Sequence, residues 1–467
     1  NIFTQKGLSK KKIVFTFTGQ GSQYNNMCKD FYKNPYFKQA FDMCDKYYNQ
    51  LTGGSLIDLV FSEKYDLSQT VYTQPAIFSV EYSLAYMYQK YGINPSIVFG
   101  HSIGEYVSAC ISGVFSLEDA MKLVVTRGKA IQEKSIFGKM MAIFTDKESI
   151  KDIIKPYNDV YISLSNSQQQ TVIAGSEKSI LEIDGILNAK DIKHTILNTT
   201  RPFHTPFMQD ASNDFFEVAK TVTYSKPKLN IISNVTSKAE TTLFTTADYW
   251  KQHIVSEVRF LDSVLNLGNL SEYLFLEVGA MPILSGLIGR ISNGNADCIY
   301  SASKDTSADY KIAEILSSMF LYAIPFDMRG YYKSFNAQIC DIPNYAFDTK
   351  KIPYIHGLHE KVSYATPVIN EVEETSNSSL ELTDEKISEY IVNLLVYHLG
   401  IDKSDIDENT NLLTLGLSSL NGVKIVGDIK KHFNVEINLN DFFNNCTVSG
   451  WKELLKGLTV SNSADKQ

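Results

Sequence analysis

The sequence predicts an α/β fold in which a small ferredoxin-like domain is inserted into a larger one, followed by an all-α unit of four short helices. Three observations carry this expectation. A short apolar run, Ser96-Ile97-Val98-Phe99, leads into Gly100-His101-Ser102-Ile103-Gly104 and then into Tyr106–Cys110, which can continue as a helix. A strand, a glycine-flanked turn and a helix in that order are an α/β signature. Between 139 and 198 short strands and helices alternate as βαββαβ, the ferredoxin-like order. Beyond an acidic stretch at 371–380 strand character gives way to helical spacing.

The elements follow in order. Ile13-Val14-Phe15-Thr16-Phe17 reads as an apolar strand, and Thr18-Gly19-Gln20-Gly21-Ser22-Gln23 as a glycine-broken loop after it. Helical periodicity runs through 27–50 and 75–90, ahead of the glycine-flanked turn. Within the insert, Met141–Phe144, 160–164, 171–174 and 194–197 read as strands, with helices at 147–155 and 176–190. Leu274–Gly279 returns the chain to a sheet. Apolar density falls after about 360, and 371–380 reads as a flexible acidic linker. In the last unit, 387, 391, 394, 395 and 399 give one helix an apolar face. A loop with Asp402, Asp405, Asp407 and Glu408 follows, and Leu417-Ser418-Ser419-Leu420 leads into a helix with Val423, Val426, Ile429 and Phe433 on one side.

Composition fits an enzyme. A chain of 467 residues with 44% apolar content can fill about three domains. Its net charge of −8 argues against a nucleic-acid partner. No apolar run approaches the ~18 residues of a membrane span. The six cysteines are scattered, which suits reduced, structural thiols in a cytoplasmic protein and no metal site. The chain starts at Asn1 rather than Met, so a missing targeting signal proves little. The final unit carries roughly −5, so a basic partner surface suits it.

The chemistry begins at Ser102. A sharp strand-to-helix turn leaves no room for side chains beside the serine, which explains Gly100 and Gly104. Such a turn lifts the hydroxyl out of the sheet edge and aims backbone N–H groups at a bound carbonyl oxygen. This is the pattern of an acyl-transfer serine. A serine hydroxyl needs a base to take its proton, and eight histidines compete: 101, 194, 204, 253, 356, 359, 398 and 432. His101 adjoins Ser102, but neighbouring side chains diverge on a tight turn. Cys110 reads as a buried helix residue rather than a nucleophile. Ser418 or Ser419 could serve simply as a helix N-cap.

Gln20-Gly21-Ser22-Gln23, Gly100-His101-Ser102-Ile103-Gly104-Glu105 and Arg201-Pro202-Phe203-His204 together resemble the acyltransferase domain of polyketide synthases and the malonyl-CoA:carrier-protein transacylase of fatty acid synthesis. Tyr72-Thr73-Gln74-Pro75-Ala76 and Glu277-Val278-Gly279 agree, and Ile342-Pro343-Asn344-Tyr345-Ala346-Phe347 resembles the post-acyltransferase linker. The last unit, with Leu417-Ser418-Ser419-Leu420, is similar to an acyl carrier protein. The resemblance implies an α/β-hydrolase-like large subdomain and four domains or segments. These are the acyltransferase at 1–325 with its small subdomain at about 139–198, the linker at 326–380, the carrier at 381–458 and a tail at 459–467.

The resemblance also implies roles. Ser102 is the nucleophile and His204 its base, oriented by a backbone carbonyl, in a ping-pong mechanism. Backbone N–H groups of Gln20 and Ile103 form the oxyanion hole. Arg127, twenty-five residues after Ser102, clamps the free carboxylate of a malonyl-type group with its planar fork; an exposed helix arginine is the alternative. Phe203 fills the place of a substrate α-branch and favours malonyl, and His101 and Arg201 belong to the substrate pocket. Arg201-Pro202 departs from the His-Ala usual in malonyl-specific domains, and a second cation there could accommodate a polar or longer dicarboxylate. Ala280-Met281 departs from the common Pro-His. Ser419 takes 4′-phosphopantetheine, although Ser418 stands where the family norm is aspartate. The implied partners are malonyl-CoA or a related dicarboxylic acyl-CoA, a ketosynthase and other synthase domains, and a phosphopantetheinyl transferase, with no metal, nucleic acid or membrane. An editing acyl hydrolase and a non-catalytic carrier or docking scaffold are the alternatives.

Overall fold

The structure, a computed structural model, describes residues 10–335 and 384–464 apart from positions 400, 402, 414, 416, 418, 434 and 436. The linker motif at 342–347, the acidic stretch at 371–380 and Ser418 lie outside the described residues. These residues form two compact units, one on each side of the 336–383 stretch. Among them no helix is long and apolar enough to cross a membrane.

The first unit contains ten strands: β1 (Lys12–Phe17), β2 (Ile97–Gly100), β3 (Lys139–Ile143), β4 (Val160–Ser167), β5 (Gln170–Gly175), β6 (His194–Ile196), β7 (Asn230–Ile232), β8 (Ala239–Glu240), β9 (Tyr273–Val278) and β10 (Asp297–Tyr300). Six of them make the larger sheet in the order β10-β9-β1-β2-β7-β8. Only the β7–β8 pair is antiparallel. Strand β1 lies at its centre, buried except for its first residue, as expected of a parallel strand covered on both faces. Its last residue, Phe17, pairs with Gly100 on one side and Val278 on the other. Three strands thus end at one level, and the loops beyond their carboxyl ends share one space, where ligands bind in open α/β sheets.

The inserted sheet has the order β4-β5-β3-β6 with every pair antiparallel. This is the topology that the βαββαβ rhythm predicts. Its strand alternation separates two surfaces. Met141, Ile143 and Ile173 pack with Ile150, Ile180, Ile183 and Leu187 from its own helices. Met140, Ala142, Val172 and Ala174 face the other way, against Leu164, Leu197 and Phe203.

Two helix expectations need correction. The periodicity from 27 to 50 resolves into turns, a 3-10 stretch at Lys29–Lys33 and an α-helix only at Pro35–Thr52. Pro35 disfavours helical geometry at Asn34, whose side chain caps the helix by accepting from Tyr36 and Phe37 N–H. The second helix begins at Thr70 rather than 75 and carries Pro75 inside it. Proline is a common start signal, but this helix is buried on nearly every side, and packing outweighs one missing hydrogen bond.

The carrier-like unit contains helices Asp384–Leu399, Ser419–Phe433, Leu439–Asn444 and Val448–Ala464. Ile387, Ile391 and Leu395 reach its core, as their spacing predicts. On the next core helix Val426 and Ile429 are buried and Phe433 packs against the core as expected, whereas Val423 is half exposed and Ile425 takes the buried place instead. Trp451 stacks on Phe442 at 3.9 Å and donates its indole N–H to the Phe442 carbonyl. The last helix continues past 458, where the tail was expected to begin.

Candidate active site

Ser102 follows β2 directly and has φ 54°, in the left-handed region that non-glycine residues avoid. The flanking glycines are sterically required. A Cβ on Gly100 would lie 2.0 Å from the Gly104 carbonyl carbon, and one on Gly104 would lie 2.4 Å from the Phe17 oxygen. The helix Gly104–Ile111 then carries the chain away from the sheet edge. The turn leaves the Ser102 hydroxyl pointing into a cleft of about 500 Å³.

His204 also has a positive φ, 58°. Its Nε2 lies 2.7 Å from Ser102 Oγ, and its Nδ1 lies 3.0 Å from the Ser256 carbonyl oxygen. The carbonyl can only accept, so Nδ1 carries the proton and Nε2 is free to accept from the hydroxyl. Burial, with Arg127 and then His101 nearby, pushes the His204 pKa down to about 3. The imidazole is therefore neutral across the neutral range, with Nε2 unprotonated and able to accept the serine proton.

Arg127 comes from the helix Leu117–Lys134 and is only 1% exposed. Its Nη2 lies 3.4 Å from Ser102 Oγ, and its guanidinium sits over the Tyr106 ring. Among the described residues it forms no ion pair and its Nε has no partner. Burial of an uncompensated guanidinium in a cleft is costly unless an anion joins it.

Gln20 and Ile103 both line this cleft. Among the described residues neither backbone N–H has an acceptor within the protein. The Gln20 loop is anchored from behind. Buried Glu81 accepts from the N–H of Thr18 at 2.7 Å and from its hydroxyl. Thr18 Oγ1 also contacts Ser22 Oγ, and Ser22 donates to the Gly19 carbonyl. A second buried carboxylate, Glu277, accepts the N–H groups of Ile283, Leu284 and Ser285 and so caps the helix Leu284–Ile291.

The remaining expected pocket residues divide. Phe203 lines the cleft, with Met140, Ala142 and Val172 of the small sheet around it. His101 also lines it, but its ring is held by Asn166 at 3.0 Å and it makes no contact with the Ser102 hydroxyl. Arg201 is not among the lining residues. Its Nη2 donates to the Gln132 carbonyl at 2.8 Å, and its guanidinium lies 3.8 Å from the centre of the Phe137 ring. Proximity to His204 in sequence does not bring it to the acyl site.

Sequence reasoning gave no role to Asn234, Ser256 or Glu105, and weighed His253 only as one of eight candidate bases. Asn234 accepts the Ser102 N–H, Ser256 orients His204, and Glu105 and His253 are buried behind the serine. Only Glu105 belonged to a quoted motif; the others carry no local pattern. In the second unit Ser419 is the first residue of the helix Ser419–Phe433. A helix start suits a phosphodiester, because its N–H groups and dipole favour a negative charge. Among the described residues no cluster of potential ligands could hold a metal ion.

Comparison with known proteins assigns this site to a family. Residues 14–297 match the acyl transferase domain and residues 389–455 match the phosphopantetheine attachment site. The chain belongs to the acyl transferase domain family and joins that domain to a carrier domain, as polyketide synthases do. Polyketide synthase GfsA of Streptomyces halstedii is 30% identical over 360 residues, which cover 74% of this chain and 5% of the relative. Mycoketide-CoA synthase of Mycobacterium tuberculosis is 30% identical over 346 residues, covering 73% of this chain and 8% of the relative. The chain therefore spans a small fraction of either protein. The acyltransferase domain from the second module of the salinomycin polyketide synthase matches with a TM-score of 0.67 at 27% identity, covering 73% of this chain and 80% of that one. MCAT from Streptococcus pneumoniae matches with a TM-score of 0.60 at 27% identity, covering 66% of this chain and all of its own 100%.

Proposed function

We propose that the acyltransferase unit loads a malonyl-type group from CoA onto Ser102 and passes it to a phosphopantetheine thiol on a carrier domain, in two ping-pong halves. The observation that carries this reading is Arg127: a buried cation that forms no ion pair among the described residues, within reach of the serine hydroxyl. Its planar fork fits a carboxylate held beside the reacting carbonyl.

In the first half His204 Nε2 takes the Ser102 proton as Oγ attacks the thioester carbon. The N–H groups of Gln20 and Ile103 receive the charge that develops on the carbonyl oxygen. The carbon–sulfur bond breaks, His204 returns its proton to the departing CoA sulfur, and an ester remains on Ser102. Ser419 is the proposed attachment residue, and the arm it would carry supplies the accepting thiol. In the second half His204 takes the accepting thiol's proton at Nε2, and Gln20 and Ile103 again hold the oxyanion. As the bond from the acyl carbon to Ser102 Oγ breaks, His204 returns the proton to Oγ. Phe203 limits room at the substrate α-carbon, which favours malonyl over branched donors. Partner synthase domains, a ketosynthase among them, and a phosphopantetheinyl transferase complete this assignment.

The test is Arg127→Ala with malonyl-CoA and acetyl-CoA, read by intact-protein mass and by release of free acid. Loss of one partner of a charged pair is expected to cost ~2 kcal/mol or more, about 30-fold, on malonyl loading. Acetyl loading is expected to hold or rise. Equal losses for both donors would make Arg127 structural, and rapid release of free malonate by the unaltered protein would favour the editing hydrolase.

A further inference from the structure

Asn234 lies just past β7, and Ser102 just past β2, its neighbour in the sheet. The β2–β7 ladder stops at Val98 and Ile231. Beyond that point the Asn234 side chain continues the pairing. Its Oδ1 accepts the Ser102 N–H at 2.7 Å and its Nδ2 donates to the Gly100 carbonyl at 2.6 Å. The amide orientation is unambiguous, because an N–H needs the oxygen and a carbonyl needs the nitrogen. The main chain of Asn234 is equally committed. Its N–H donates to Glu105 Oε2 at 2.6 Å, and its carbonyl accepts from Arg259 N–H at 3.0 Å. Every polar group of this buried residue is used.

Glu105 is fully buried on the helix that leaves the turn, and Tyr249 OH donates to its other oxygen. The nearest cationic candidate, His253 Nε2, is 3.8 Å away and its ring is buried with both nitrogens unbonded. Glu105 therefore serves as an acceptor for Asn234 and Tyr249 rather than as half of a strong ion pair. Neither Asn234 nor Glu105 lines the cleft, so neither touches a substrate.

We infer that Asn234, held by Glu105, is a positioning residue that brackets the turn around Ser102 and keeps the serine in its left-handed conformation with Ile103 N–H facing the cleft. The inference rests on the reading of Ser102 as the acyl-accepting nucleophile. Ser102 is disfavoured at φ 54°, and such a conformation persists only where the surroundings over-determine it. The bracket ties the residue before His101 and the serine itself to one rigid amide, across a sequence separation of 132 residues.

The test measures single-turnover acylation of the full chain by malonyl-CoA and, separately, phosphonylation by a fluorophosphonate probe that reports serine activation without needing Arg127. Asn234→Ala is expected to lower both rate constants by about 10- to 100-fold, while the half-saturating malonyl-CoA concentration stays within about threefold. Glu105→Ala, which removes the acceptor that holds Asn234, is expected to lower both rate constants in the same direction. If Asn234→Ala does not fold, Asn234→Leu decides in the same way, since it keeps about the same volume and loses both the acceptor for Ser102 N–H and the donor to Gly100. Unchanged rate constants in the folded variant, or a loss confined to the half-saturating concentration, overturn the inference. Unaltered protein that phosphonylates but takes no malonyl overturns the donor assignment alone, and the bracket is then judged on phosphonylation.

Discussion

The two units bury different kinds of residue. Around the acyltransferase cleft the interior holds Glu81, Glu105, Glu277, Arg127, Arg201, His204 and His253, each less than a tenth exposed. In the carrier-like unit, among the described residues, every buried side chain is apolar, and charges pair at the periphery, as in Lys456 with Asp384 and Lys452 with Glu408. Burying charge costs stability unless hydrogen bonds or partners offset it. The first unit bears most of that cost around the cleft, with Lys311 buried away from its lining, and oriented dipoles in such a cleft can act on a developing charge. On the proposed assignment of Ser419, the second needs only a stable helix to present its serine, and an apolar core supplies that. The difference teaches that buried ionisable groups among the described residues gather mostly around the cleft.

The comparison breaks most visibly if the two activities are not separable. Ser102→Ala is expected to lower malonyl loading by about 10⁴-fold or more, and Ser419→Ala to abolish the mass gain on incubation with CoA and a phosphopantetheinyl transferase. The Ser102→Ala chain should still take the arm. Arm attachment that persists in Ser419→Ala would move the site to another serine and remove the helix-start argument.

A smaller effect sharpens the cleft side. Phe203→Ser should raise the methylmalonyl-to-malonyl loading ratio by about tenfold, since one methyl group is worth only ~1–3 kcal/mol of discrimination. An unchanged ratio in competition assays would show that another cleft residue limits the α-branch.

The smallest expected effect measures what buried charge costs. Burial raises the Glu105 pKa from 4.5 to about 8, against the lowering influence of Tyr249, Asn234 and Arg127. A carboxyl raised on folding contributes stability that is fully present below pH 4.5 and is lost as pH rises through about 8. Glu105→Gln, which cannot ionise, should therefore gain on the unaltered protein in melting temperature between about pH 5 and pH 9, on the order of a few degrees. Parallel melting curves across that range would mean that Glu105 is held ionised by its neighbours.

By itself the sequence determined whatever depends on near neighbours in the chain. Gly100 and Gly104 announce the turn because close backbone contact excludes a Cβ at both. The two-residue and 3.6-residue periods announce the βαββαβ insert and the 387, 391, 395 core stripe, since each period records which face of one element is covered. Even here local signals misled where burial competed with them, at the helix that starts before Pro75 and at the exposed Val423.

Only the tertiary structure decided which distant groups complete the site. It placed Ser256 on His204 across 52 residues and Asn234 on Ser102 across 132, and it turned Arg201 toward Gln132 and Phe137 while Arg127 entered the cleft. An isolated asparagine, or the backbone carbonyl of a serine, carries no pattern that sets it apart. Its role arises when the sheet order brings β7 beside β2 and the directional geometry of a hydrogen bond selects one acceptor within about 3 Å.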